Sequence, residues 1–309
     1  MAATDLVVLG DSVMWGQGLL DQHKSSTLVA QGLQARIPGI KPVVMAHSGA
    51  VIGASASCAA TTFPGEIPES CPSILQQVDA YPGDGASVPV VMLNGGINDI
   101  DIRTILNPFT DPNDLSSDIH QYCHDDMAKL LTKVKLRFSR PDVKIVVSSY
   151  FPILTSVSHP SLIPAMVEFL GAPLPSLMTM STSANLIGLN NPITGKIFSL
   201  CVQFWHESTA ALAKCVADVN LGPGPRCFFA NVPFTENNAV FAPQAWLFGV
   251  GPFPEFGPLD EVAATRHPQC DVVFQNDFVA REQCYRASAG HPNVTGAQQY
   301  AQAILKAIQ

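Results

Sequence analysis

Three short apolar runs, each ending in a cluster of small polar residues, restrict what this chain can fold into more than any other feature. Leu6-Val7-Val8-Leu9 leads into Gly10-Asp11-Ser12, Val43-Val44-Met45-Ala46 into His47-Ser48-Gly49, and Val90-Val91-Met92-Leu93 into Asn94-Gly95-Gly96-Ile97-Asn98-Asp99. Runs this uniformly apolar suit strands buried on both faces, as in a parallel sheet covered by helices. In an open parallel α/β sheet, ligands bind beyond the carboxyl ends of the strands. A serine, a glycine and an asparagine amide are therefore expected to converge at one rim.

Strands are expected near 5–10, 42–47, 89–94, 143–150 and 227–232, with helical patterns at 117–138, 199–219 and 295–308. This alternation predicts a three-layer α/β/α sandwich on a doubly wound parallel sheet of about five strands. One elaborated domain over residues 1–309 is the expectation for a chain of this length. Two stretches interrupt the alternation. Residues 152–195 are apolar and punctuated by prolines, and read either as a lid or acyl-pocket wall or as extra packing over the sheet. Residues 235–287 form a second, irregular excursion.

With 47% hydrophobic and 14% charged residues, the chain has apolar surface for a large core. A net charge of −8, with only 17 Lys and Arg, argues against nucleic acid as a partner. No apolar run is long enough to span a membrane, and Met1–Asp5 lacks the basic region of a signal peptide. Eight cysteines, with Cys58/Cys71, Cys270/Cys284 and Cys215/Cys227 as local candidate pairs, favour a secreted protein over the cytoplasmic alternative.

Ester hydrolysis through a serine needs a base for the hydroxyl proton and donors aimed at the oxyanion. Ser12 has a candidate base in His291, within Gly290-His291-Pro292. The natural donors are the backbone amides of Ser12 and Gly49 and the side chain of Asn98. The blocks Gly10-Asp11-Ser12, Gly49, Gly96-Ile97-Asn98-Asp99 and His291-Pro292 occur in the order that resembles the SGNH (GDSL-type) serine hydrolases. That resemblance implies a flavodoxin-like sheet, Ser12 as nucleophile, His291 as base, and Ser12, Gly49 and Asn98 as the oxyanion hole. It also implies an ester substrate and no cofactor or metal. No Gly-x-Ser-x-Gly elbow of an α/β-hydrolase is present.

One position departs from the pattern. The family usually has an aspartate three residues before the histidine, and this chain has Ser288. Three outcomes follow: a backbone carbonyl holds the imidazole, an acid such as Asp277 or Glu282 replaces it, or the protein is a weak, binding relative. Met14, Trp15 and Phe151 are candidates for the substrate pocket. The expected substrate is a small-molecule ester, with acyl lipids or aryl esters favoured by the apolar insertion. A carbohydrate acetylesterase and an acyltransferase use the same residues.

Other features read as structural. His120, Cys123 and His124, beside Asp125 and Asp126, can be drawn as metal ligands, but they are expected on different faces of a helix, as a solvated surface or with Cys123 turned inward to a disulfide. Asp111-Pro112-Asn113-Asp114 reads as a helix entry, Asn293 as a helix cap rather than a glycosylated sequon, and His47 as structural. Asp11 and Asp99 are expected to fix loops through backbone amides.

Overall fold

The computed structural model describes residues 4–53, 64–159, 192–224, 226–250 and 260–309. Five strands, β1 (Thr4–Val8), β2 (Ile40–Val44), β3 (Val90–Leu93), β4 (Lys144–Ser148) and β5 (Cys227–Ala230), form one sheet in the order β2-β1-β3-β4-β5. All pairings are parallel. The three central strands are the apolar runs: Leu6 to Val8, Val90 to Leu93 and Ile145 to Val147 are essentially inaccessible to solvent. β2 is half-buried and carries Pro42, which a parallel ladder tolerates because β2 lies at the sheet edge.

Two helical layers cover the sheet. On one side lie α2 (Ser25–Leu33) and the terminal helix α11 (Val294–Ala307), packed on each other. On the other lie α3 (Ile74–Ala80), α6 (Pro112–His120), α7 (Met127–Arg137) and the long α8 (Pro192–Val219). Three short helices line the site rim: α1 (Ser12–Trp15), α4 (Ile97–Ile100) and α5 (Ile102–Ile105). The sandwich and its flavodoxin-like strand order are those expected. From β1 the chain reaches β2 on one side and β3 on the other, so the crevice opens at the carboxyl ends of β1 and β3. No helix among the described residues is long and apolar enough to cross a membrane.

Several expectations need correction. The helix read over 117–138 starts earlier and is interrupted by a π-turn, Gln121–Asp126, between α6 and α7. The wider turn buries Cys123 and gathers His120, His124 and Asp125 on its outer side, rather than spreading them over different faces. Cys123, Cys201, Cys215 and Cys227 are free, buried thiols, so the Cys215/Cys227 pairing fails. The α8–β5 connection is closed instead by Asn220, whose side chain exchanges two hydrogen bonds with the backbone of Cys227. Cys270 and Cys284 do form a disulfide, and Cys71 is disulfide-bonded while Cys58 lies outside the described residues.

The excursion over 235–287 is less irregular than its prolines suggested. It contains α9 (Ala263–Val273) and α10 (Phe278–Tyr285), joined by that disulfide. The 152–195 stretch ends sooner than expected, because Pro192 sits at the start of α8. Residues 160–191, the core of the expected lid or wall, lie outside the described residues. Asp111 caps α6 and Asn293 caps α11, as read from the sequence.

Candidate active site

Ser12 is the first residue of α1, directly beyond β1, and the turn that carries it is pinned from below. The Asp11 carboxylate accepts from Val13 N at 2.8 Å, from Asn94 Nδ2 at 2.9 Å and from the Tyr150 hydroxyl at 2.8 Å. Asn94 Oδ1 also accepts from Asp11 N, and the Gln77 carboxamide brackets Gly10, its Oε1 accepting from Gly10 N–H and its Nε2 donating to Gly10 C=O. Burial pushes the Asp11 pKa up, while these donors act against the rise. Sequence reading anticipated Asp11 as a loop anchor; Asn94, Gln77 and Tyr150 it missed. Asn94 sat inside a motif already quoted, and Gln77 and Tyr150 carried no local signal.

The second and third rims are tied to each other. Asn98, in α4, donates from Nδ2 to the Ala50 carbonyl at 3.0 Å, and Asp99 accepts from Ile52 N at 3.1 Å. Burial lifts Asp99 to a pKa of about 6. Gly49 has φ of +80°, and a Cβ there would lie 2.7 Å from Glu69 N, so only glycine fits. Gly49 lines the same cleft as Ser12 and Asn98. His47 turns its Nδ1 to the Ser48 carbonyl at 2.9 Å and takes no part in the cleft lining.

His291 arrives from the opposite direction, on the loop before α11. Phe248 N donates to its carbonyl, Gly290 N donates to the Phe248 carbonyl, and Pro292 forms a bridge with Leu247. The ring stands between two oxygen partners: Nε2 lies 2.7 Å from Ser12 Oγ and Nδ1 lies 3.2 Å from the Ser288 carbonyl. A carbonyl only accepts, so Nδ1 carries the proton and the Nε2 lone pair accepts from the Ser12 hydroxyl. Desolvation lowers the His291 pKa to about 4, opposed by the Ser288 and Ala289 backbone, and the ring is neutral at pH 7. Of the three substitutes weighed for the absent aspartate, the backbone carbonyl is the one in contact. Asp277 instead caps α10, and Glu282 lies 3.7 Å from Arg286.

Two lobes open from the Ser12–His291 pair. One, about 90 Å³, is walled by Val13, Ile97, Ile102, Phe151, Ile153 and Ala289. The other, about 310 Å³, is wider and is bordered by Ser48, Gly49, Pro68, Arg103, Gln283 and Ala287. Phe151 thus lines the pocket as expected; Met14 and Trp15 do not. Ser12 opens α1, so Val13 faces the lobe, whereas Met14 is fully buried beneath it. Trp15 turns away to donate from Nε1 to Glu66 at 2.6 Å, with Lys24 Nζ 4.0 Å above its ring.

Glu66 is a further residue that sequence reading missed. It also accepts from Gln17 Nε2 and Gly18 N, and it receives Arg266 Nη1 at 2.7 Å. Arg266 is fully buried and is further held by Asp260 and by the carbonyls of Cys284 and Tyr285. One ion pair therefore fastens the end of α1 to the excursion that leads into His291.

No family model matches the chain, and no curated protein is significantly similar to it. Among solved structures, it is similar to a GDSL-like lipase from Parabacteroides merdae, at 14% identity and a TM-score of 0.42, covering 100% of this chain and 97% of that one. It is also similar to Est24, a carbohydrate acetylesterase from Sinorhizobium meliloti, at 13% identity and a TM-score of 0.37, over 74% and 84% of the two chains. The aryl esterase of M. smegmatis gives 14% identity and a TM-score of 0.37, over 76% and 93%. Likenesses this distant transfer no residue roles. The reading of the site rests on the geometry with which Ser12, Gly49, Asn98 and His291 meet at the carboxyl edge of a doubly wound sheet.

Proposed function

We propose that this protein is a serine esterase that hydrolyses short-chain acyl esters. The observation carrying that reading is the 2.7 Å contact between His291 Nε2 and Ser12 Oγ, with Nδ1 turned to the Ser288 carbonyl. A neutral imidazole so oriented takes the Ser12 proton as Oγ attacks the ester carbonyl. The oxyanion of the tetrahedral intermediate accepts from the amides of Ser12 and Gly49 and from Asn98 Nδ2. As it collapses, His291 returns the proton to the departing alcohol. Water then repeats the sequence on the acyl-enzyme and releases the acid. The Ser288 carbonyl stands where the aspartate usually lies and fixes the tautomer, without stabilising the imidazolium by a full charge.

The apolar lobe, at about 90 Å³, is smaller than the roughly 150 Å³ cavity that accommodates one benzene. It therefore suits an acyl group of about two to four carbons rather than a lipid chain. The wider lobe, with Ser48, Arg103 and Gln283 on its border, suits a polar alcohol portion. The Cys270–Cys284 disulfide supports a secreted setting.

The test compares p-nitrophenyl acetate, butyrate and laurate on the full chain and on Ser12→Ala. The expected result is turnover of acetate and butyrate above laurate, a burst of one p-nitrophenol per chain, and at least a roughly 10⁴-fold loss in the variant. Turnover that survives Ser12→Ala would overturn the assignment. Turnover highest on laurate would overturn the short-chain part alone.

A further inference from the structure

Outside the cleft, the π-turn carries a cluster that the proposed esterase chemistry leaves unused. His120 and His124, four positions apart, have their rings stacked at 4.9 Å. Both turn Nδ1 toward Asp125: His124 Nδ1 lies 2.7 Å from Oδ1 and His120 Nδ1 lies 3.7 Å from Oδ2. One ligand atom from each of the three residues can be chosen so that all lie within 4.8 Å of one another. From the packed helix α8, Asp218 Oδ2 approaches His124 Nε2 at 3.0 Å.

We infer that His120, His124 and Asp125 form a binding site for a divalent transition-metal ion of the zinc class. Two imidazoles and a carboxylate are a donor set that suits zinc. The independent observation is Asp218: a metal-bound histidine almost always donates its other ring N–H to an acceptor that fixes tautomer and orientation. Each ring nitrogen of His124 faces a carboxylate, so a metal at Nδ1 displaces the proton shared with Asp125 Oδ1, while Asp218 keeps the one on Nε2. Tetrahedral zinc places its ligand atoms ~3.3 Å apart, so the widest separation must close by at most about 1.5 Å and the His124 Nδ1–Asp125 Oδ1 contact must open by about 0.6 Å. The His120 side chain is 64% exposed and has freedom to supply that movement, while a water completes the shell. The surrounding charges restrict the site. Lys214 holds Asp218 at 2.6 Å and Lys129 holds Asp126 at 2.7 Å, which keeps Asp126 outside the donor set.

The π-turn explains why the site is built here. The wider turn leaves Cys123 pointing inward, where a Cβ on Gly96 would come within 2.9 Å of its sulfur, while the imidazoles stay on the outer side. Such turns recur at functional sites.

The test titrates zinc sulfate into the chelator-treated full chain by calorimetry, alongside His120→Ala, His124→Ala and Asp218→Asn. The expected result is one equivalent in the unaltered protein, at least tenfold weaker affinity for each histidine variant, and ~10-fold weaker affinity for Asp218→Asn. Cobalt(II) should give the intense visible absorption of a four-coordinate site, lost in His124→Ala. None of these residues lines the cleft, so ester turnover in His120→Ala reports correct folding, and Ser12→Ala should bind zinc unchanged. No binding, or binding that survives both histidine substitutions, would overturn the assignment whatever the fate of the esterase reading.

Discussion

The two halves of the Ser12–His291 pair are held in place by different means. Ser12 grows directly out of the central strand β1, and its support consists of neutral or singly charged groups from the sheet and the helices beneath it: Gln77, Asn94 and Tyr150 around Gly10 and Asp11. His291 stands on a loop outside the sheet, reached through an excursion whose core is one disulfide and one fully buried arginine. The first side is fixed by the fold itself. The second depends on a few long-range fastenings, above all Arg266 with Glu66, 200 positions apart. The difference teaches that the position of Ser12 comes with the fold, while His291 is the part that can be loosened separately.

The sharpest way to break that asymmetry is Arg266→Met. It leaves Glu66 buried without its counter-charge, and breaking such a pair typically costs about 3–5 kcal/mol. Urea unfolding should show that loss, together with a larger effect on kcat than on KM, because the Cys284–Tyr285 backbone that leads into the His291 turn loses its hold on Arg266. Glu66→Gln combined with Arg266→Met should recover part of the stability, since of the two acids around Arg266 only Asp260 is then left without its counter-charge. Equal destabilisation by the double variant would refute a charge-based account.

On the Ser12 side, Asn98→Ala removes one proposed oxyanion donor and leaves the sheet intact. Loss of one such donor costs ~10²–10³ in kcat. Stability should fall less than in the arginine variant, because Asn98 contributes a single hydrogen bond to Ala50. Kinetics and thermal unfolding measured on the same samples separate the two effects.

Replacing Cys270 and Cys284 by alanine releases a loop with a sequence separation of 14, and closing a loop of that size is worth about 3 kcal/mol. Because α9, α10 and the 288–291 turn follow one another, proteolysis of the altered protein should cut first within 260–287. Cleavage beginning within β1 or α1 would contradict the comparison.

What the sequence made legible follows the same division. Parallel strands buried on both faces must be apolar without interruption, so β1, β3 and β4 stood out, and the polar clusters at their ends named Ser12 and Asn98 directly. His291 was legible only through its motif. The groups that hold it were not, since the Glu66–Arg266 pair has no local periodicity and spacing carries no information about contacts between distant loops. Spacing misled for Cys215 and Cys227, which sit on a helix and a strand whose junction Asn220 already closes. It misled again at Trp15, because the turn after Ser12 decides which way successive side chains point, and Glu66 claims the indole.

The smallest effect concerns pH and sets one titrating group from each side against the other. His291 has a folded pKa of about 4, below its unfolded value near 6.5. The unfolded chain then binds the proton first, so the stability from its neutral form, present above pH 6.5, is lost as pH falls toward 4. Asp99 behaves oppositely: its folded pKa of about 6 exceeds an unfolded value near 3.9, so its contribution is present below 3.9 and disappears as pH rises through 6. Between pH 4 and 6 the two slopes offset, and the stability of the native protein should vary little from these groups. Asp99→Asn removes one of them while keeping an acceptor for Ile52 N. Its urea midpoint should fall more steeply than the native one as pH drops from 6 to 4, while the acid limb of kcat/KM set by His291 stays near pH 4. Parallel stability curves for the two proteins would show that Asp99 does not counterbalance the histidine.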